Sequence, residues 1–169
     1  FGLLALTTVK AQDPHYSQFY AAPLYLNPGF AGTADGPRVI LNHRNQWPGI
    51  NKAYRNTAFS YDQYMPNLNG GIGIMVANDN QANGVFKATR ITAVYSYNLK
   101  VNRKVSVNFG VRAAYIQKYL DWDKLTFGDM IDPRRGFIYQ TGDVPRGGKR
   151  GLFDASAGGV VFSKYFYGG

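Results

Sequence analysis

The sequence has no cysteine, and all ten of its acidic residues are aspartate. The missing cysteine excludes a disulfide framework, a thiolate metal site, a cysteine nucleophile and a lipidated N-terminal cysteine. Its only two histidines, His15 and His43, have no third ligand or nucleophile at a spacing typical of a metal site or a triad. We therefore predict a protein that is not an enzyme, with no catalytic residues, no metal site and no cofactor.

Long hydrophobic runs are also missing, because no stretch reaches the roughly 18 apolar residues of a membrane-spanning helix. Residues 1–11, with the sequence FGLLALTTVKA, are typical of the end of a signal peptide that is cleaved after Ala11. A buried N-terminal strand is the alternative. A bacterial chain that is exported without such a helix is periplasmic, secreted or an outer-membrane β-barrel.

Acidic residues are few, since 19 Lys and Arg residues face 10 acids and the net charge is +9. A basic excess of this size raises the possibility of nucleic-acid binding. The basic residues are, however, spread from Arg38 to Lys164, and only Arg146 to Arg150 form a local cluster. Charges at strand ends and loop tips are normally solvated. We predict that nucleic acid is not a partner.

The most abundant unusual residues are 13 Tyr and 20 Gly, which are typical of tyrosine-rich β walls. From Val105 to Tyr115 every odd position is apolar or aromatic, which is a period of two over eleven residues. A tilted strand of about 9 to 11 residues crosses a bilayer. Further strand candidates are Arg38 to Arg44, Tyr54 to Tyr64, Gly71 to Ala77, Ile91 to Leu99, Leu152 to Phe162 and the opening of a seventh from Tyr165.

These strands predict an all-β protein, a transmembrane antiparallel β-barrel over residues 37–169 that is incomplete here. The predicted connections alternate between long and short, as they do in such barrels. The long ones are Asn45 to Ala53, Asn78 to Phe86 and Gln117 to Lys149. With the N-terminal segment in the periplasm, each long connection falls outside the cell. A soluble β-sandwich with cross-strand tyrosine pairs is the alternative.

Residues 12–36, which we call the N-terminal segment, have aromatics without a strand or helix period. Asn27-Pro28-Gly29 is a strong turn signal. We predict an ordered periplasmic cap or plug that lies in the lumen or against a partner and turns the chain into the first strand. The residues predicted to do this are Tyr16, Phe19, Tyr20, Tyr25, Asn27, Pro28 and Phe30.

A second set of candidates lies at the predicted rim and lumen of the barrel. A Trp-Pro-Gly turn at Trp47 can fold over the lumen, and Arg44 is predicted to pair with a lumen aspartate such as Asp62. Gln46 belongs to the same rim. Ordinary rim packing explains these residues equally well.

Several motifs resemble the PorP/SprF family of outer-membrane barrels associated with the type IX secretion system. The run Leu26-Asn27-Pro28-Gly29-Phe30-Ala31-Gly32-Thr33 is the more specific part, and Arg44 to Ile50 is similar to the family's Arg-x-Gln-Trp-x-Gly-Ile. The resemblance implies a non-enzymatic barrel in the outer membrane lipid bilayer that supports type IX secretion. It also implies partners among secretion components, including the periplasmic ring, and a secreted adhesin client. The alternatives are a passive diffusion channel and a soluble exported binding module.

Overall fold

The structure is a computed structural model, and it describes residues 19–49, 54–102, 104–125, 127–132, 134–138, 141–142, 148–163 and 166–169. The predicted signal peptide, His15 and the site candidate Tyr16 lie outside these described residues. Within them, no helix has the length and apolar character needed to cross a membrane.

The described residues form six long strands: β1 (Arg38–Gln46), β2 (Tyr54–Met65), β3 (Gly70–Gln81), β4 (Phe86–Asn102), β5 (Val105–Leu120) and β8 (Lys149–Ser163). The short strands are β6 (Ile131–Asp132) and β7 (Gly136–Phe137), which pair with each other, and β9 (Tyr167–Gly168). The six long strands and β9 form one antiparallel sheet, in the order β1-β2-β3-β4-β5-β8-β9. The predicted all-β fold is confirmed. In the described residues the sheet stays open between β1 and β9, as a part of a barrel wall would.

Strands β3, β4 and β5 are longer than predicted, and the predicted long connection from Asn78 to Phe86 is wrong. Residues 78–81 continue β3, and only residues 82–85 connect it to β4. Polar cross-strand bonds explain the extension: the Asn78 amide donates to Thr89 Oγ1 (3.0 Å), and the Tyr54 hydroxyl donates to Asp79 (2.9 Å). The alternation of loop lengths is therefore weaker than expected, because the connections 66–69 and 82–85 are equally long.

The longest connection, residues 121–148, follows β5 as predicted. It contains short 3-10 turns at Trp122–Lys124 and Gly128–Met130, together with the β6–β7 hairpin. The rings of Trp122 and Phe127 stack at a centroid distance of 6.0 Å. The connection therefore has local structure of its own.

The two faces of the sheet differ sharply, because strand side chains alternate between them. On β5 the odd positions Phe109 and Val111 are exposed, whereas the even positions Asn108 and Gly110 are buried. We call the exposed side the outer face and the opposite side the inner face. One continuous cross-strand row of the outer face holds Leu41, Phe59, Val76, Ile91, Tyr115 and Phe153.

The core lies between the inner face and the N-terminal segment. Its buried apolar cluster consists of Leu24 and Ala31 from the segment and Val94 from β4. Several polar inner-face residues are buried as well: Asn56, Ser60, Asp62, Thr92, Ser96 and Asn108. A buried polar surface needs hydrogen-bond partners. The segment supplies partners for three of these residues, Asp62, Ser96 and Asn108.

Candidate functional site

In its described part, residues 19–36, the N-terminal segment folds into short turns rather than a strand or a long helix. A 3-10 turn at Phe19–Ala21 precedes α1 (Pro23–Leu26), and a second 3-10 turn spans Pro28–Phe30. Pro23 and Pro28 stand at the first positions of their turns, where a proline has the required φ and the missing N–H is not needed. The Asn27 side chain accepts a hydrogen bond from the Gly29 N–H (2.8 Å). The prolines and the Asn27 side chain therefore determine the turns of the segment by local interactions alone.

A row of small residues crosses the inner face of four neighbouring strands. Gly71 of β3 pairs with Ser96 of β4, Ser96 with Gly110 of β5, and Gly110 with Gly158 of β8. We call these four residues the glycine trough. A Cβ at Gly71, Gly110 or Gly158 would collide with the segment at Ala31, Pro28 or Asn27, respectively. The trough thus lets the backbone of the segment lie directly on the backbone of the sheet.

Side chains of the inner face bind the main chain of the segment. The Asn108 amide donates to the Gly29 carbonyl (3.1 Å), and the Ser96 hydroxyl donates to the Ala31 carbonyl (2.6 Å). In the opposite direction, the Asn27 amide donates to the Gly159 carbonyl (3.1 Å). Longer bonds reach from Arg112 to the Tyr25 carbonyl and from Asn42 to the Ala21 carbonyl, both 3.4 Å.

Asp62 connects the end of the segment to the sheet. The Arg38 guanidinium donates to both carboxylate oxygens of Asp62 (2.9 and 2.8 Å), and the Gly32 N–H donates to Oδ2 (2.8 Å). Arg38 also donates to the Phe30 carbonyl (3.0 Å). Only 1% of the Asp62 side chain is exposed. This bidentate pair is a geometrically specific type of ion pair, and here it holds three parts of the chain together.

The predicted pairing of Arg44 with Asp62 is wrong. Arg38 stands directly opposite Asp62 in the β1–β2 register, whereas Arg44 stands opposite Asn56. Six residues of strand separate Arg38 from Arg44, which is about 20 Å. The Arg44 guanidinium instead donates to the Gln46 side-chain oxygen (2.9 Å). Trp47 follows at the strand end, is 62% exposed and has a positive φ of 57°.

The other predicted segment residues lie in different environments. Pro28 is buried over the trough, and the Phe30 ring packs edge-on against Phe162 at 6.1 Å. Tyr20 is 67% exposed. Phe19 begins the first turn. The described candidates therefore share one segment on one face of the sheet, close to the end that carries the 66–69 connection.

The sequence pattern predicts the segment but not the inner-face residues that bind it. Gly110, Asn108 and Ser96 read as ordinary positions of alternating strands, although a glycine inside a strand is a signal of close backbone approach. Arg38 was not a candidate either. Their roles depend on which residues stand opposite one another in the sheet.

One titratable group in the 121–148 connection has a shifted pKa. The Asp129 carboxylate accepts hydrogen bonds from the Thr141 hydroxyl (2.9 Å) and the Gly142 N–H (3.0 Å). These two bonds lower the pKa of Asp129 below its ordinary value of 3.8. Among the described residues, no group of three or more His, Cys, Asp or Glu side chains could hold a metal ion.

Comparison with known proteins relates the whole chain to one family. Residues 8–169 match the family described as type IX secretion system membrane protein PorP/SprF. No curated protein and no solved structure matches the chain.

Proposed function

The chain belongs to the PorP/SprF family of type IX secretion system membrane proteins, and we propose that its sheet is part of the wall of an outer-membrane β-barrel. The inner face of this wall holds the N-terminal segment. Membership of the family implies a membrane-associated role in type IX secretion. The finer proposal is that the segment presents a docking surface to a periplasmic component, such as the ring, or to a secreted adhesin client.

The observation that carries the proposal is the contrast between the two faces of the sheet. The outer face exposes large apolar side chains such as Leu41, Phe109 and Phe153, and no described element of the chain covers them. An uncovered apolar face of this extent is unfavourable in water and favourable against lipid. A soluble sandwich would instead bury that face under a second sheet.

The inner face supports the second half of the proposal. It carries buried polar groups whose hydrogen bonds go to the main chain of the segment, as at Asn108 and Ser96. Proline-fixed turns cost little entropy to order, and aromatic side chains offer large contact area. We propose that Asn27, Pro28 and Phe30 hold the segment on the wall, while the exposed Tyr20 and its neighbour Phe19 contact the partner.

The placement of the segment also bears on the diffusion-channel alternative. The segment crosses the inner face from the Asp62 side of the sheet to Gly159 on β8. A plug in that position obstructs an open pore. We therefore expect the full chain to show little ion conductance in planar bilayers, and large steady conductance would favour the channel function instead.

Two measurements test the wall and the segment separately. The full chain should fractionate with the outer membrane and migrate differently on gels before and after boiling. Recovery in the soluble periplasmic fraction would contradict the barrel proposal. In the native host, deletion of residues 12–33 should leave a heat-modifiable membrane protein but abolish client secretion or co-purification of the periplasmic partner.

Gly110→Ala provides a milder test, since it keeps the whole segment and disturbs only its contact with the glycine trough. We expect reduced partner recovery with an unchanged amount of barrel. If the deletion variant and Gly110→Ala both secrete and co-purify normally, the segment has no part in partner binding.

A further inference from the structure

Three basic residues stand in one cross-strand row on the outer face of the sheet, beyond its apolar surface. The register runs from Arg55 on β2 to Asn80 on β3, Lys87 on β4, Tyr119 on β5 and Lys149 on β8. We call Arg55, Lys87 and Lys149 the basic row. All three are exposed. With neighbouring strands about 4.8 Å apart, the cations are spaced at roughly 10 Å along the row.

The order of the rows along the strands matches the layers of a membrane interface. The last apolar row contains Ile91 and Tyr115, and the next row on the same face is polar. The members of that polar row are His43, Thr57, Asn78, Thr89 and Gln117. The basic row follows it, about 14 Å beyond the last apolar row along the strands, or about 10 Å along the bilayer normal for a tilt near 45°.

Charge on the outer face is segregated by sign and by end. The three aspartates of the long strands, Asp62, Asp79 and Asp154, all occupy inner-face positions, so the described outer face of these strands carries no carboxylate. At the other end of the apolar surface the outward positions include Gln63, Leu99, Val107 and Val161. Of the basic residues described there, Lys100 lies near the end of β4 and Lys104 in the turn to β5.

Side-chain neighbours within the row suit an anionic headgroup. The Lys149 ammonium lies over the Tyr119 ring, 5.8 Å from its centroid. Asn80 and Tyr119 alternate with the cations and add hydrogen-bonding groups between them. Among the described outer-face residues no acid stands in this row to neutralise it.

We propose that the basic row is a binding site for the phosphate groups of anionic lipid headgroups. The lipids belong to the leaflet at the end of the barrel that carries the 82–85 and 121–148 connections. This inference rests on the proposed function, because it requires the outer face to contact the bilayer. Each basic residue near an anionic surface favours it by roughly fivefold, so three together give a preference on the order of a hundredfold. Salt should weaken the preference, since the site is exposed.

The test uses the full chain, delipidated in neutral detergent and titrated with phosphatidylglycerol, with bound lipid counted by native mass spectrometry. The variant Arg55→Gln/Lys87→Gln/Lys149→Gln should bind phosphatidylglycerol on the order of a hundredfold more weakly than the unmodified chain. The matched control, Lys104→Gln/Lys118→Gln/Arg150→Gln, removes the same charge from other positions and should bind normally. Equal loss in both variants, or no loss in the first, would overturn the proposal.

Two further arms separate the possible failures. Inorganic phosphate at the same phosphate concentration should not displace the lipid, and full displacement would mean a site for free anions instead. Flotation of the full chain with phosphatidylcholine vesicles after a carbonate wash, which removes protein that is not inserted, tests the proposed function by itself. Insertion without any preference for phosphatidylglycerol overturns only the lipid site. Failure to insert overturns the proposed function, and the lipid site with it.

Discussion

Gly110→Ala should loosen the N-terminal segment while leaving the barrel wall intact. A Cβ at this position would lie 2.6 Å from the Pro28 carbonyl oxygen, whereas ordinary contact begins at 3.4 Å. The obstacle is backbone on both sides, so it cannot rotate away as a flexible side chain would. The segment must therefore retreat from β5 by roughly 1 Å.

This displacement weakens the binding of the segment to the sheet, and the loss of free energy can be calculated from the hydrogen bonds that break. The bonds from Asn108 to the Gly29 carbonyl (3.1 Å) and from Ser96 to the Ala31 carbonyl (2.6 Å) flank the site. A displacement of about 1 Å takes both beyond hydrogen-bond length and leaves the buried Asn108 amide without its acceptor. A net hydrogen bond contributes about 1 kcal/mol, and an unsatisfied buried group costs about 1 to 3 kcal/mol. We expect the free energy that holds the segment to fall by about 3 kcal/mol, which is roughly a hundredfold in the open population.

Hydrogen exchange of the peptide that covers residues 19–33 measures this population directly. The Gly32 N–H, which donates to Asp62, is a suitable reporter of segment release. The matched control is Gly159→Ala on the outer face, where a Cβ finds its nearest neighbour at 3.6 Å, an ordinary contact. Exchange in β5 should be unchanged in both variants.

The reasoning fails if Gly110→Ala exchanges in the segment at the rate of the unmodified protein. It also fails if Gly159→Ala accelerates exchange equally, because the effect would then come from alanine in a strand rather than from contact with the segment.

Three further predictions follow from other contacts. Asp62→Asn should lower the free energy of unfolding by about 2 to 4 kcal/mol in a urea titration, because it leaves Arg38 without its carboxylate, whereas Asp154→Asn, at an exposed position of the same face, should change it little. Phe109→Arg should destabilise a bilayer-inserted barrel by about 2 to 4 kcal/mol and Phe109→Leu hardly at all; comparable loss in both would contradict the assignment of the outer face to lipid. Since hydrogen bonds lower the pKa of Asp129 below 3.8, its contribution to stability is present above pH 3.8 and lost as the pH falls through the lowered pKa. Thr141→Ala should raise that pKa toward its ordinary value, as a carboxyl NMR titration would show.

Much of the fold followed from local pattern. The alternation from Val105 to Tyr115 predicts both the strand and its exposed side, because successive side chains of a strand point to opposite faces. The turn at Asn27-Pro28-Gly29 was equally predictable, since proline limits φ and the Asn side chain caps the turn locally. The family motif at residues 26–33 led to the same family that matches residues 8–169.

The ends of the strands were less predictable. Polar residues such as Asn78 and Asp79 resemble a loop in sequence, yet they continue β3 because Thr89, Tyr54 and Asn56 supply partners from neighbouring strands. The charge of Asp62 at a lumen position was visible, but its partner depended on whether Arg38 or Arg44 stood opposite.

Register is the quantity that only the tertiary structure decided. Gly71, Gly110 and Gly158 are far apart in sequence, and they form one trough only because each strand pairs with the next at a particular offset. The same offsets bring Arg55, Lys87 and Lys149 into one row. A shift of one residue in any pairing would move a whole strand's side chains to the other face. The sequence by itself therefore determined the strands, their alternating faces and the turns of the segment. The glycine trough that holds the segment, and the basic row, depend on long-range strand pairing that no local pattern contains.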